Sequence, residues 1–342
     1  MTEVEGGAET QAVSQARRLR RTLMGFIVSQ AIVALTELGV PDRLADGPAT
    51  AAELAGAVGV DPDALRRFMR ALVAEGIFAE DARGRFALTA MGSLLRGDVP
   101  GSLRDFATLM TAEAYHAWGD AGYSVRTGQP AFDHVFGMPM FDWLARDRHA
   151  SARFNAAQAG LAVGRMSPLA ERSWATASTV VDVGGGNGTL LSVLLGRHQR
   201  LNGILFDLPH VAKEAELALS SAGLADRVRC IGGDFCVEVP PGGDVYILAQ
   251  ILHDWDDHKA ALILRNCHQA LPPDGRLLIL ELIVPEDPGP HPAKLLDLHM
   301  MVMLGGRERT MTEWRELLES NNFAITDITH HARSSMIEAR PA

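Results

Sequence analysis

Cysteine is scarce in this 342-residue chain: Cys230, Cys236 and Cys267 are its only three. Three thiols at that spacing build neither a disulfide framework nor a structural zinc site. Positive charge is also in deficit, with 32 Lys plus Arg against 42 Asp plus Glu and a formal charge of -10. That balance argues against a bulk nucleic-acid or anionic-membrane partner. No stretch reads as long and apolar enough to span a bilayer, and the N-terminus lacks the shape of a signal peptide. There Arg17, Arg18, Arg20 and Arg21 precede an apolar run that carries Ser29, Gln30 and Glu37 and has no small-residue cleavage site. A soluble protein of a reducing compartment is expected, with the cytoplasm as the default.

What the chain does have is apolar material, 47% of its residues, enough for more than one core at this length. Residues 1–12, rich in Gly, Glu and Thr, read as a disordered tail. Ala12 to Leu38 reads as one helix with a wide apolar face, suited either to a subunit interface or to an ordinary core. Thr50-Ala-Ala-Glu53 is a capping box, and Asp61-Pro62 starts a second short helix that stops at Gly76. Ile77 to Leu88 reads as a hairpin turning at Asp81-Ala-Arg-Gly84. Two helices and a hairpin resemble a winged-helix module over 13–100. Arg66, Arg67 and Arg70 are offset there by Asp61, Asp63 and Glu75, so dimerisation fits better than phosphate contact. Residues 101–168 form a helical linker dense in rings and methionines, among them Phe106, Tyr115, Trp118, Phe132, Phe141, Trp143, Phe154 and Met140. Core packing explains most of these, and the surplus suits the roof of a pocket for a flat apolar ligand.

Residues 169–342 carry the chemistry. Thr179 to Val183 is a strand running into Gly184-Gly-Gly-Asn-Gly188 and a helix from Thr189, a turn that lets a ligand approach the backbone closely. Asp207 ends the next strand, placed for ribose hydroxyls. A third strand ends at Gly232-Gly-Asp234-Phe235, where Asp234 can take an exocyclic amine and Phe235 can cover an adenine face. Strands near 243–248 and 275–281, with helices between, complete a doubly wound parallel sheet. Phe323 to Thr329 and Ser335 to Ala339 add an antiparallel pair. The glycine spacing overlaps the dinucleotide fingerprint without matching it, and the turn lacks a Walker Lys-Ser/Thr pair. A nucleoside with a small charged tail fits better than a pyrophosphate. His253 follows the fourth strand and faces the crevice, where an imidazole with its ordinary pKa near 6.5 can serve as a base.

Asp182-Val-Gly-Gly-Gly-Asn-Gly188, Phe206-Asp-Leu-Pro209, Gly233-Asp-Phe235, Leu252-His-Asp-Trp-Asp-Asp257 and Gly305-Gly-Arg-Glu-Arg-Thr310 occur in order. Together they resemble the small-molecule O-methyltransferases that use S-adenosylmethionine, in the group shared by plant caffeate-type and bacterial polyketide-tailoring enzymes. The resemblance covers essentially the whole chain. It implies an α/β fold, a Rossmann-like seven-stranded sheet with an N-terminal winged-helix-like dimerisation domain, and a homodimer formed through the N-terminal helices. It also implies a cofactor site of Asp182, Gly184, Gly186, Asp207, Leu208, Gly233, Asp234, Phe235, Gln250 and Asp254. His253 is then the general base, flanked by Glu281 and Glu308, and no metal is expected. Phe141, Trp143, Phe154, Asn155, Gln158, Trp255, Met300 and Met303 are the candidate acceptor-pocket residues. Ala249 and Gln250 stand where plant members carry Lys-Trp, which removes a plant cofactor contact and points to the bacterial branch and polycyclic phenols. The alternatives are C- or N-methylation on the same scaffold, a relative that keeps the cofactor without transferring methyl, and a ligand-sensing DNA-binding protein.

Overall fold

A computed structural model describes the backbone of residues 2–331 and 334–342, with side chains described except at 2–12, 162, 163 and 171. The chain forms two compact units, Met1–Ala112 and Glu113–Ala342.

The first unit opens with helices Thr2–Leu23 and Gly25–Glu37. The backbone is helical from Thr2, where a disordered tail was expected, and the single helix expected from Ala12 is two. Gly25, a poor helix former, follows the break at Met24. Val13–Glu37 is nonetheless long and apolar enough to cross a membrane by length and composition, which corrects the expectation that no stretch qualifies. Its second half buries Ala31 and Leu35 in the unit's core beside Leu65, Met69 and Phe86. Leu19, Leu23, Phe26 and Ile27 stay exposed.

Thr50 and Glu53 cap the helix Ala51–Val58 reciprocally, and Asp61 caps Pro62–Ala74. Strands β1 (Ala49–Thr50), β2 (Phe78–Glu80) and β3 (Arg85–Leu88) form a small sheet in the order β1-β3-β2. Asp81 closes the hairpin turn by accepting the backbone N–H groups of Arg83 and Arg85.

The second unit is built on β4 (Thr179–Val183), β5 (Asn202–Asp207), β6 (Val228–Gly232), β7 (Val245–Ala249), β8 (Arg276–Glu281), β11 (Phe323–Thr329) and β12 (Ser335–Pro341), ordered β11-β12-β8-β7-β4-β5-β6. Near-continuous burial of β4, β5, β7 and β8 matches a parallel sheet covered on both faces. β12 is antiparallel to β11 and to β8, and the other pairings in this sheet are parallel. Strand order reverses between β4 and β7, which opens a crevice beyond their carboxyl ends.

The remaining strands, β9 (Ile283–Val284) and β10 (Arg309–Thr310), pair with each other in parallel. That two-residue ladder ties the segment after Gly305 to the end of β8. Helices Glu113–Gly119, Ala131–Phe136 and Met140–Arg146 pack around Ala117, Phe132 and Met140 against Val302 and Met303 of the helix Pro292–Met303.

Candidate active site

The cofactor half of the crevice is made by strand ends. Gly184 and Gly186 both adopt positive φ, 73° and 55°. A Cβ on Gly184 would overlap Ile251, whereas one on Gly186 would project into open space within the crevice. The Asp207 carboxylate accepts the Gly186 N–H at 2.8 Å and the Leu208 N–H at 2.7 Å, so the end of β5 holds the glycine turn in place. Leu208 caps the following helix and is partly exposed. Gly233 permits close contact with the Phe206 ring. Phe235 lies edge-on to Trp255, centroids 5.9 Å apart, and borders the glycine turn. Asp234 is exposed and accepts the Cys236 N–H. Asp182 is 2% exposed beneath the turn, and its Oδ2 has no partner. Burial, reinforced by Asp207, pushes its carboxyl up to about 7.

The other half is centred on His253. After β7 the chain turns at Gln250, whose φ of 57° is left-handed, and enters a single 3-10 turn, Leu252–Asp254. Glu281, at the end of β8, holds this turn. Its Oε1 accepts the N–H groups of Ile251, Leu252 and His253 at 3.1, 3.0 and 3.3 Å. Its Oε2 accepts the Gln250 amide at 2.9 Å. His253 is buried, and its Nδ1 lies 2.6 Å from Glu308 Oε1, a separation at which the pair holds a proton between them. Its Nε2 lies 3.2 Å from Asp254 Oδ1. Burial raises Glu281 and Asp254 to about 7 and Glu308 to about 8.

The structure gives several of the expected residues contacts of their own. Gln250, expected on the cofactor side, directs its amide nitrogen at Glu281 and the Leu280 carbonyl. Asp254, also expected there, stands against the second nitrogen of His253. Glu281 secures the backbone of the turn, and Glu308 hydrogen-bonds the ring at Nδ1.

Other functional neighbours were not anticipated. Gly306 leaves no room for a Cβ against the His253 carbonyl, which accepts the Arg307 N–H at 2.8 Å. Arg309 is wholly buried and donates to the Leu252 and Trp255 carbonyls and to Asp257. Both lie within the Gly305–Thr310 motif, yet nothing in its sequence distinguishes a buried arginine from an exposed one. Arg165 faces Glu281, Asp254 and Glu308 from the helix Arg148–Arg165 and donates to Gln158. His299, read as a structural histidine, lies within electrostatic reach of His253.

Among the acceptor candidates, Trp255 stacks on Phe141 at 5.9 Å, and Phe141 meets Phe154 edge-on at 6.3 Å. Trp143 packs on Phe136, its indole N–H unpartnered. Met300 and Met303 are buried, Asn155 is half-buried, and Gln158 accepts from Arg165.

His253, Glu281 and Glu308 place one donor atom each within 4.8 Å of one another, a spacing that could hold a cation. Glu281 has both oxygens occupied by N–H donors, so the cluster is better suited to supporting a base.

A parallel sheet with a nucleoside-type crevice and a carboxylate-supported histidine defines a cofactor-dependent α/β transferase. The chain belongs to the O-methyltransferase family: residues 118–324 match the O-methyltransferase domain and residues 21–98 its dimerisation domain. It is 41% identical to a phenazine O-methyltransferase of Lysobacter antibioticus over 332 residues, 96% of this chain and 97% of that one. It is 39% identical to an O-demethylpuromycin-O-methyltransferase of Streptomyces alboniger, over 99% and 93% of the two chains. An O-methyltransferase from neocarzinostatin biosynthesis, solved with S-adenosylmethionine and 2-hydroxy-5-methyl naphthoic acid, superposes with a TM-score of 0.79 at 33% identity, over 92% and 96%. The family takes its methyl group from S-adenosylmethionine, and the chain is an O-methyltransferase of that kind.

Proposed function

We propose that the chain methylates a phenolic hydroxyl on a polycyclic aromatic natural product, an anthraquinone-, anthracycline- or naphthoate-like ring, with His253 as general base. The observation that carries this reading is the 2.6 Å contact of His253 Nδ1 with a buried carboxylate. With Glu308 ionised, as it becomes when pH rises toward its raised value of about 8, the shared proton sits on Nδ1 and the ring presents an unprotonated Nε2 to the acceptor hydroxyl. Glu281 supports the base by holding its backbone turn. Asp254, beside Nε2, orients the incoming hydroxyl. S-adenosylmethionine, when bound, supplies a sulfonium-activated methyl group, and the chain contributes alignment and exclusion of water.

The residues suit that cofactor. Open space at Gly186 leaves room for its methionine portion, Asp207 is oriented at a strand end for ribose hydroxyls, and Phe235 offers a ring face for adenine. The ring series Phe235, Trp255, Phe141 and Phe154 extends from the cofactor side toward the acceptor and fits a flat polycycle. The exposed apolar residues of the N-terminal helices, Leu19, Leu23, Phe26 and Ile27, fit a homodimer contact.

The direct test is transfer of labelled methyl from S-adenosylmethionine to a panel of naphthols, hydroxyphenazines and hydroxyanthraquinones. Product labelled on oxygen is expected, and transfer to nitrogen or carbon alone overturns the O-methyl reading. A chelator such as EDTA is expected to leave the rate unchanged, and loss restored by a divalent cation would make the histidine–carboxylate cluster a metal site. Asp207→Ala is expected to weaken S-adenosylhomocysteine binding by roughly 10- to 100-fold, the range for hydrogen bonds to a charged acceptor. Calorimetric titration checks it, and unchanged affinity removes the ribose assignment.

A further inference from the structure

His299 lies on the helix Pro292–Met303, two residues beyond Asp297, whose carboxylate accepts the Glu308 N–H at 2.9 Å. That helix therefore helps position the carboxylate beside His253, and it carries both the acceptor-pocket candidates Met300 and Met303 and a second imidazole within electrostatic reach of His253. The Trp118 indole N–H donates to His299 Nδ1 at 3.1 Å, with the two rings nearly coplanar at 11°. An indole nitrogen can only donate, so Nδ1 must carry a lone pair. The imidazole is then neutral, with its proton on Nε2. Burial and the neighbouring His253 both disfavour its charged form, which lowers its pKa to about 4. Among the described residues no protein group accepts the Nε2 hydrogen.

We propose that His299 Nε2–H is a binding donor for a second acceptor atom on the aromatic substrate, a ring nitrogen or carbonyl oxygen beside the hydroxyl that is methylated. The proposal rests on the reading of His253 as the base that receives the phenolic proton. The two histidines then divide the work: one takes a proton from the substrate while the other, held in a donor tautomer by Trp118, selects a substrate with an acceptor at the right distance. A positive His299 would serve less well, because its charge beside His253 would oppose the imidazolium formed there.

The test uses an isosteric pair, 1-hydroxyphenazine and 1-anthrol, in which both ring nitrogens, including the one beside the hydroxyl, are replaced by CH. Calorimetric titration of each into the enzyme loaded with S-adenosylhomocysteine separates binding from turnover. The wild type is expected to prefer the phenazine by about tenfold, the scale of one net hydrogen bond. His299→Phe is expected to abolish that preference by weakening the phenazine only, and His299→Gln, which keeps a donor, to retain part of it. Trp118→Phe is expected to reduce the preference as well, because it frees the tautomer. S-adenosylhomocysteine affinity should stay constant throughout. Equal affinity for the two phenols in the wild type, or a preference that survives in His299→Phe, overturns the inference while leaving His253 as the base. Failure of the wild type to bind either phenol, or a His253→Ala variant as active as the wild type on 1-anthrol, overturns the underlying reading instead.

Discussion

His253→Ala is expected to cut kcat/KM for an ordinary phenol by roughly 10²- to 10⁴-fold, the usual contribution of a positioned general base. The reason lies in the acceptor: a phenol with a pKa near 10 is about 0.1% ionised at pH 7, so something must remove its proton as the oxygen attacks. On the proposed reading that group is His253, whose Nδ1 is held at 2.6 Å by a carboxylate with no solvent exposure of its side chain. The same variant should lose less than about tenfold on a nitrophenol with a pKa near 7, which is already substantially ionised. Its rate on the ordinary phenol should climb with pH as solvent base takes over. Initial rates for both phenols between pH 6 and 9 provide the check. An equal loss on both would assign His253 to positioning alone, and no loss on either would remove it from the chemistry.

Asp182→Asn is expected to stabilise the cofactor-free protein at pH 8 by roughly 2–4 kcal/mol, since each pH unit separating the folded and unfolded pKa values is worth about 1.4 kcal/mol. The carboxyl lies under the glycine turn with Oδ2 unpartnered, and burial followed by Asp207 raises it from 3.8 to about 7. Between those values the folded state holds the proton more tightly than the unfolded state does. The folded state is therefore favoured below about pH 4, and that advantage is lost as pH rises through 7. The wild type should thus become less stable from about pH 4 to 8, with Asp254, Glu281 and Glu308 contributing slopes of the same sign. The asparagine, neutral at every pH, removes one share of this slope. Urea unfolding at pH 5 and pH 8 measures it. Parallel curves for variant and wild type would mean that Asp182 is ionised in the fold.

Much of the architecture follows from short-range patterns. Val180, Val181 and Val183 form an apolar run ended by glycines, which specifies a buried strand and a tight turn whatever surrounds them. Thr50 with Glu53, and Asp61 before Pro62, mark helix starts because the caps satisfy backbone donors within one turn. The alternation of strands with helices from 179 to 281 implies a parallel sheet, since each crossover needs a helix. The positions of Asp207, Asp234 and His253 at or just beyond the ends of parallel strands were readable for the same reason.

The parts of the site that depend on closure over long stretches were not readable. Glu281 and Glu308 meet at His253 only because β9 pairs with β10, a ladder of two residues with no periodicity to announce it. The left-handed turn at Gln250 is favoured where Glu281 collects four N–H donors, a compensation invisible in the local sequence. Arg165 and His299 act on the His253 cluster electrostatically from separate helices, and the Trp118 bond that sets the His299 tautomer spans 181 residues. The scarcity of cysteine and of positive charge excluded disulfide scaffolds and argued against bulk nucleic-acid partners, and the motifs identified the cofactor. The raised values of the carboxyls around His253 were decided by burial and by neighbours distant in the chain, because a pKa responds to what surrounds a group in space rather than in sequence.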